Sequence, residues 1–418
     1  MPAGSSIRVG AASMLAVLAS VADAQESEDG PSFSLSAAYT GDLRRNTTGG
    51  LAVGTAYTDA VDLGLVWIND GLFPGARMTT NLSVMHLAGK GISEHYLGDL
   101  QGVNNLEGPQ GWKLYESWVE FAFGGSNSST LRAGVMDLNA EFDTPVTQGI
   151  FTASPFGIGT EFSQTGVNGP VCWPTTGLGI RVAGDVSSSI HWRIGAYDGS
   201  PGHDDGSFMS TQVSGDEGAL LAAEIEYSAG RIHKLALGLW SYTTAFERLD
   251  APITGQAGEQ HGNRGFYAHF DSRLGSAGRV DFDGALRAGV AEARFNPVDR
   301  FASAALTASH LFASRPGDAL GLGVAWARLG DDYLSLRSFE GQSASTAETT
   351  FELVYRAELT PWLSLLPNLQ FVSDPGADPS LDDAWVAGLR FEIHNAKTWT
   401  LLADRRGQPP QPYAREQR

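Results

Sequence analysis

Apolar residues recur at every second position along most of the chain. In the first such run, Phe33, Leu35 and Tyr39 alternate with small residues. Strict alternation of this kind predicts β-strands with one apolar face. About sixteen runs follow one another, each close to the length at which a tilted strand crosses a bilayer. They lie near residues 33–40, 61–67, 76–87, 112–123, 130–138, 177–184, 189–197, 219–228, 233–243, 263–272, 278–288, 301–312, 319–328, 347–359, 362–372 and 384–393.

The connections between these runs are alternately short and long. The short ones contain turn formers such as Asn-Asp-Gly at 69–71 and Arg-Pro-Gly at 315–317. Tight turns on one side and long loops on the other are typical of bacterial outer-membrane barrels. The long connections are expected at residues 43–59, 88–111, 139–176, 198–218, 244–262, 289–300, 329–346 and 372–383.

The apolar faces end in aromatic residues, as the two interfacial girdles of a membrane barrel require. Soluble sandwiches and propellers also have short alternating strands, but they do not predict that every second loop is short. The fold class predicted is therefore all-β, a transmembrane antiparallel β-barrel of about 16 strands. The aromatic residues in question are Tyr39, Trp67, Trp192, Tyr227, Trp326, Tyr355 and Trp385.

The second face of the strands is strongly polar. Charges this frequent would not be stable unpaired in a dry core, whereas a water-filled lumen leaves them hydrated. A barrel of about sixteen strands is wide enough for such a channel. Residues 139–176, rich in Gly, Pro, Thr and Ser, are expected to fold inward as loop 3 and to narrow it. The polar face includes Arg181, Arg193, Glu224, His269, Asp271, Arg287, Glu348, Glu352 and Arg390.

The N-terminus has the three parts of a secretory signal. Arg8 precedes a short apolar run, and Ala22-Asp23-Ala24 offers a cleavage site. We expect residues 1–24 to be a signal peptide and 25–393 to be the barrel domain. The chain is then exported to the outer membrane of a Gram-negative cell.

Net charge, carboxylate spacing and the absence of catalytic motifs argue against several other classes of function. A formal net charge of −19 argues against a nucleic-acid partner. Glu116 and Glu120 would lie roughly 13 Å apart along one strand, farther than the roughly 5 to 9 Å that glycosidases need. No Ser-His-Asp signature, metal-spaced histidine cluster or phosphate-binding glycine loop is present in the sequence. We therefore expect no enzymatic activity, no cofactor and no metal.

The fourth run places Glu116, Trp118 and Glu120 on the same face. Carboxylates accept hydrogen bonds from hydroxyl groups, and an indole ring offers a flat apolar surface to a sugar ring. Arg77 and Arg132, on neighbouring runs, can donate to sugar oxygens. These residues suit a neutral polyhydroxy solute. In the alternative interpretation, the charges only neutralise one another and Trp118 fills space below the long loop.

Several stretches of this sequence resemble the carbohydrate-selective porins of the OprB type. The resemblance rests on GDLQGVNNLE at 98–107, KLYESWVE at 113–120, LRAGVMDLNAEF at 131–142, IFTASPFGIG from 150, the stretch 348–376 and VAGLRFEI at 386–393. It implies a sixteen-stranded barrel in which glucose and related sugars, including small oligosaccharides, diffuse through a pore that loop three constricts. It further implies that Asp137, Glu141 and Phe142 lie at the constriction, with Glu116, Trp118 and Arg132 on the wall behind.

The C-terminus departs from this family. Its members end at the last strand with an aromatic residue that the barrel-assembly machinery recognises, but here residues 394–418 follow the last predicted strand. We expect this tail to be disordered. Outer-membrane lipid is an expected partner, and a homotrimer is one assembly such a barrel can form. The alternatives are a general small-solute porin on the same barrel or an exported soluble β-fold enzyme or lectin.

Overall fold

The computed structural model describes residues 31–73, 75–124, 129–202, 208, 218–255, 258–401 and 412–414. These residues form sixteen long strands in one sheet. They are β1 (Ser32–Thr48), β2 (Gly54–Phe73), β3 (Ala76–Gly89), β4 (Gly111–Phe123), β5 (Ser129–Met136), β6 (Gly177–Ser187), β7 (Ile190–Asp198), β8 (Ala219–Ala229), β9 (Ile232–Tyr242), β10 (Arg264–Ala277), β11 (Val280–Ala291), β12 (Val298–Ser309), β13 (Ala319–Leu329), β14 (Ala347–Thr360), β15 (Leu363–Ser373) and β16 (Ala384–Leu401).

Each strand pairs in antiparallel fashion with the strands before and after it in the chain. The first strand pairs with both β2 and β16, so the sheet closes on itself. Along the closing pair, Ser32 faces Thr400 and Asp42 faces Arg390. The prediction of a closed, sixteen-stranded antiparallel barrel is confirmed.

The end of the last strand differs from the sequence prediction. The last strand does not end at Ile393 but continues to Leu401, and the segment Pro412–Ala414 pairs with it. The expectation that the disordered tail begins at residue 394 is therefore wrong for residues 394–401. Polar residues such as His394, Asn395 and Lys397 hide the alternation there. The other tail residues and the expected signal peptide lie outside the described residues.

The predicted position of the first long connection is also wrong. It was expected at 43–59, but β1 and β2 both run through most of that range, and only residues 49–53 connect them. Asp42, Arg44 and Asn46 occupy buried positions in β1. A polar residue at a buried position breaks the apolar alternation from which strand ends are predicted.

Leucines on one face of the wall are exposed, and their neighbours in sequence are buried. In β9, Leu235, Leu237 and Leu239 are 41%, 48% and 55% exposed, whereas Lys234 and Trp240 are buried. Successive side chains of a strand point to opposite faces of the sheet. The outward face is thus the apolar one, as expected of a barrel that contacts lipid.

Short helical segments lie in the connections. The longest, Asp331–Phe339, follows β13; a strand pair, Phe246–Glu247 with Glu259–Gln260, lies between β9 and β10. Over the described ranges, none of the helices has the length and hydrophobicity to cross a bilayer. The other helical segments are Ser93–Leu97, Leu138–Ala140, Thr147–Ile150, Ser154–Phe156, Thr160–Ser163, Ala251–Thr254 and Pro375–Ala377.

Part of the inner wall is apolar. Ile150, Phe151 and Phe156, from the connection between β5 and β6, pack against Phe301 of β12 and apolar residues of β13 to β15. A Cβ added at Gly323 would lie 2.6 Å from the Phe156 ring, so glycine leaves the space that this ring fills. The expectation of a strongly polar inner face is therefore wrong for this part of the wall.

Candidate functional site

The connection expected at 139–176 spans residues 137–176, between β5 and β6, and is called the long segment below. Carboxylates of the wall hold it by its backbone. Glu224 accepts the amide of Asp143 at 3.0 Å, and Asp271 accepts that of Thr147 at 2.8 Å. Buried irregular backbone needs such partners because its amides and carbonyls lack the regular hydrogen bonds of a helix or a sheet. Gln370 of β15 donates to the Thr152 hydroxyl at 3.3 Å. The long segment therefore contacts the buried face of the wall as far along the sheet as β15.

A cluster of four charged side chains joins the start of the long segment to β4, β5 and β6. The cross-strand register places Glu120, Arg132 and Arg181 in one row. Glu120 lies 2.9 Å from Arg132 and 2.6 Å from Arg181. Glu141 adds contacts of 2.5 Å to Arg181 and 3.5 Å to Arg132. The structure thus brings together three of the predicted site residues, Glu120, Arg132 and Glu141.

This cluster keeps some accessible surface. The side chains of Arg132, Glu120 and Glu141 are 16%, 17% and 22% exposed. Burial opposes ionisation of the Glu141 carboxyl, but the guanidinium groups of Arg132 and Arg181 outweigh it and lower its pKa to about 2. The cluster therefore presents fixed donors and acceptors at neutral pH.

Trp118 lies beneath this cluster. It is 8% exposed, and the guanidinium carbon of Arg132 lies 3.8 Å from its ring centroid. That contact is a cation–π interaction. The ring also belongs to an apolar cluster with Met136 and Phe142. This geometry fits the alternative in which Trp118 fills space below the long segment and supports Arg132.

Glu116 and Asp137 form a second, buried pair. Asn81 and the backbone amide of Asp137 donate to the Glu116 carboxylate at 3.3 and 3.0 Å. Tyr115 donates its hydroxyl to Asp137 at 2.5 Å, and Asp137 in turn accepts the Asn139 amide at 2.7 Å. Burial raises the pKa of Asp137 to about 6. These two carboxyl groups anchor the beginning of the long segment.

The last two predicted residues are placed apart from the charged cluster. Phe142 is fully buried and packs edge-on against Tyr197, with ring centroids 6.0 Å apart. Arg77 lies next to the short turn between β2 and β3, where it pairs with Asp70 at 2.6 Å and stays 37% exposed. The structure therefore does not bring Arg77 together with the other predicted residues.

The sequence prediction missed a fully buried charge cluster further along the long segment. Arg287 of β11 lies 2.6 Å from Asp143 and 2.7 Å from Glu161. His269 of β10 contacts the Asp143 carboxylate at 2.6 Å. Arg287 and His269 were expected on the polar face. Their partners come from a connection without periodicity, so strand spacing alone does not identify them.

A second connection, residues 90–110 between β3 and β4, also contacts the inner wall. Glu348 accepts the amides of Leu100 and Gln101 at 2.6 and 3.0 Å. Arg390 donates to the side-chain oxygens of Asn104 and Asn105 at 3.0 and 2.7 Å. Residues 98–107 carry part of the resemblance to the porin family, but the resemblance implies no structural role for them.

This second connection is joined directly to the long segment. The Asn105 amide donates to the Thr152 carbonyl, and the Ser154 amide donates to the Gly102 carbonyl, both at 2.9 Å. Many inner charges are thus paired and buried beneath the two connections. The expectation that water hydrates these charges is wrong for Arg287, Glu224 and others in these contacts.

We expect the charge of Asp143 to hold the long segment to β11. Replacing Asp143 by the isosteric Asn leaves Arg287 short of one buried counter-ion, which costs about 3 kcal/mol. Hydrogen exchange of backbone amides in residues 139–176 measures this loss directly.

The matched control is Asp70→Asn, which breaks an exposed aspartate–arginine pair worth at most about 1 kcal/mol. Asp70→Asn is expected to leave exchange in the long segment unchanged. Equal exchange in the two variants would show that the buried pair does not hold the segment.

Comparison with known proteins agrees with this architecture. The family model described as "Carbohydrate-selective porin, OprB family" matches residues 71–394. Porin B of Pseudomonas aeruginosa is 24% identical over 397 residues, covering 85% of this chain and 86% of that protein.

Two solved structures share the fold. The high-pH structure of Pseudomonas putida OprB has a TM-score of 0.76 at 21% identity and covers 88% of this chain and 94% of its own. The outer membrane channel DcaP of Acinetobacter baumannii has a TM-score of 0.53 at 11% identity. The match covers 88% of this chain and 99% of the DcaP chain. Because the family model spans most of the described barrel, the chain belongs to the OprB family of carbohydrate-selective porins.

Proposed function

We propose that this chain is a passive channel for sugars across the outer membrane, narrowed by the long segment. The observation that carries the proposal is the match to a carbohydrate-selective porin family from residue 71 to 394. The apolar outward face, illustrated by Leu286 and Leu322 at 57% and 55% exposed, supports placement in lipid. It also counts against the soluble enzyme or lectin considered from the sequence.

The chemistry of the charged cluster suits a neutral, hydroxyl-rich solute. Arg132 and Arg181 supply donors, while Glu120 and Glu141 supply acceptors, and the four charges balance. A solute without net charge can exchange hydrogen bonds with such a surface without a large electrostatic barrier. We therefore propose Glu120, Arg132 and Glu141 as the predicted residues that contact the solute.

The other predicted residues support this surface. Trp118 lies under Arg132, Glu116 and Asp137 hold the start of the long segment, and Phe142 is buried below it. Their effect on a solute would act through the position of Arg132 and Glu141. Arg77 stays a proposed lining residue near the short-turn end of the barrel.

A general small-solute porin is the second candidate. The observation that favours it is the covered ring of Trp118, which leaves little aromatic surface for a sugar ring to stack on. In this second candidate, passage depends on the size of the solute, and sugars have no advantage.

The maturation and assembly of the chain are also proposals. Residues 1–24 would be removed as a signal peptide on export, and barrel-assembly machinery would insert the mature chain into outer-membrane lipid. A homotrimer would leave the interior of each barrel as a separate passage.

Liposome swelling with the purified protein distinguishes the two candidate functions. Monosaccharides are expected to enter faster than a zwitterionic amino acid of matched size, and rates are expected to fall from mono- to di- to trisaccharides. Equal rates for the monosaccharide and the amino acid would remove the sugar preference and favour a general porin.

Excision of residues 144–156 tests the narrowing of the channel. Asn139 donates to the carbonyls of both Asp143 and Gly157, at 3.2 and 3.3 Å, so the two ends lie close enough for a short Gly-Ser bridge. Single-channel conductance is expected to rise roughly twofold or more when the segment is shortened.

The control for this excision is a Gly-Ser replacement within the exposed residues 340–343, which lie in another long connection. It is expected to leave conductance unchanged. If the excised variant inserts with normal efficiency but conducts like the wild type, the long segment does not limit the passage.

A further inference from the structure

A shallow apolar groove lies on the outward face of β9 to β13, with a volume of about 530 Å³. Its floor follows a cross-strand row of small side chains, in which Ala268 faces Ala288 and Ala288 faces Ala302. Larger apolar residues border it, namely Leu235, Phe270, Leu286 and Trp326. These four are between 36% and 57% exposed, so the groove opens outward.

The next outward row toward the long-loop end carries two arginines. Arg300 and Arg328 face each other across β12 and β13. They lie two residues beyond Ala302 and Trp326, on the same face and roughly 7 Å farther along each strand. The groove therefore ends at a pair of guanidinium groups.

Arg300 is the more accessible of these two. Its side chain is 59% exposed, and its ion pair with Asp299 is long, at 3.6 Å. Asp299 lies closer to Arg328, at 3.0 Å, and Arg328 also contacts Asp331 at 2.6 Å. The Arg300 guanidinium thus keeps donors that a phosphate can reach.

A third arginine lies one outward row farther along the barrel wall. Arg264 begins β10 and is exposed, and its carbonyl accepts the amide of Glu292. Glu292 itself pairs with Arg294 at 2.8 Å. Four arginines, with Arg294 included, thus lie beside four carboxylates, Glu292, Asp299, Asp331 and Asp332. Phosphate binding here therefore depends on the exposed Arg300 guanidinium and not on a net positive charge of the rim.

We propose that this surface binds a phosphate-bearing lipid of the outer leaflet. One acyl chain would lie in the groove over the alanine row, and the phosphate would lie among Arg264, Arg300 and Arg328. Guanidinium groups bind phosphate through paired, charge-assisted hydrogen bonds. Basic groups at the polar boundary of the membrane attract anionic headgroups in this way. The proposal rests on the membrane placement given under the proposed function.

The test uses the purified full chain in a zwitterionic detergent. Native mass spectrometry measures the retention of diphosphorylated lipid A, with phosphatidylcholine as the comparison lipid. Wild type is expected to retain lipid A in preference to phosphatidylcholine. The double variant Arg300→Gln, Arg328→Gln is expected to lose retention by about fivefold for each arginine.

Two further variants separate the groove from general charge at the rim. Ala288→Phe fills the middle of the alanine row and is expected to lower retention with all three arginines intact. Arg45→Gln removes an exposed arginine from the long-loop end of β1, where it donates to Thr55 at 3.1 Å. Arg45→Gln is expected to retain lipid A like the wild type.

Three outcomes would overturn the proposal. Arg45→Gln could lower retention as much as the double variant, which would indicate non-specific attraction. The double variant and Ala288→Phe could both retain lipid A fully. Dimers of the wild type could dissociate with Ala288→Phe while lipid retention stays unchanged, which would show that a second copy covers the groove. Single-channel conductance of the same samples tests the proposed function separately, and heat-modifiable migration on gels confirms that each variant folds.

Discussion

Closure of the sheet is the constraint on which the rest of this structure depends. In the hydrocarbon of a bilayer no water pairs with free backbone groups, so a sheet that spans it must have no open edge. Here the first and last strands meet from Ser32 opposite Thr400 to Thr48 opposite Trp385. A charged pair crosses this seam, with Arg390 donating to Asp42 at 2.8 Å. Once the sheet is closed, the alternation of each strand assigns its side chains to lipid or to the interior.

The interior then has to accommodate both the charges that the strands bring and the backbone of the connections that enter it. The wall charges pair with the backbone and the side chains of the connections, so both sets of polar groups are satisfied. Glu348 and Glu352 accept backbone amides of residues 100–101 and 152–153, and Arg287 forms ion pairs with two acids of the long segment. Buried charges are tolerated where they are paired and hydrogen-bonded. The wall therefore positions the connections, and the connections leave the cluster around Arg132 and Glu141 partly accessible.

The strands were predictable because apolar residues occur at every second position along them, which is the period of a β-strand. Prediction failed where polar residues interrupt the apolar alternation, at the buried Asp42, Arg44 and Asn46 and at the residues that follow Ile393. The cluster of Glu120 and Arg132 was within reach, since adjacent strands place them side by side. The contact of Arg287 with Asp143 was not predictable from the sequence. Asp143 lies in a connection, and the path of that connection depends on the assembled wall. Trp118 was correctly placed on the inner face, but no sequence signal showed that Arg132 covers it.

The division between a lipid-facing and a water-facing side is tested most directly by labelling single cysteines along β7, after replacement of the buried Cys172. His191 and Arg193 face inward, with side chains 31% and 18% exposed, and Ile194 faces outward at 56%. In membranes, cysteines at 191 and 193 are expected to react with a bulky, charged, membrane-impermeant thiol reagent. Probes at 192 and 194 are expected to be quenched only from the lipid. The reverse pattern, or lipid quenching at all four positions, would contradict the account.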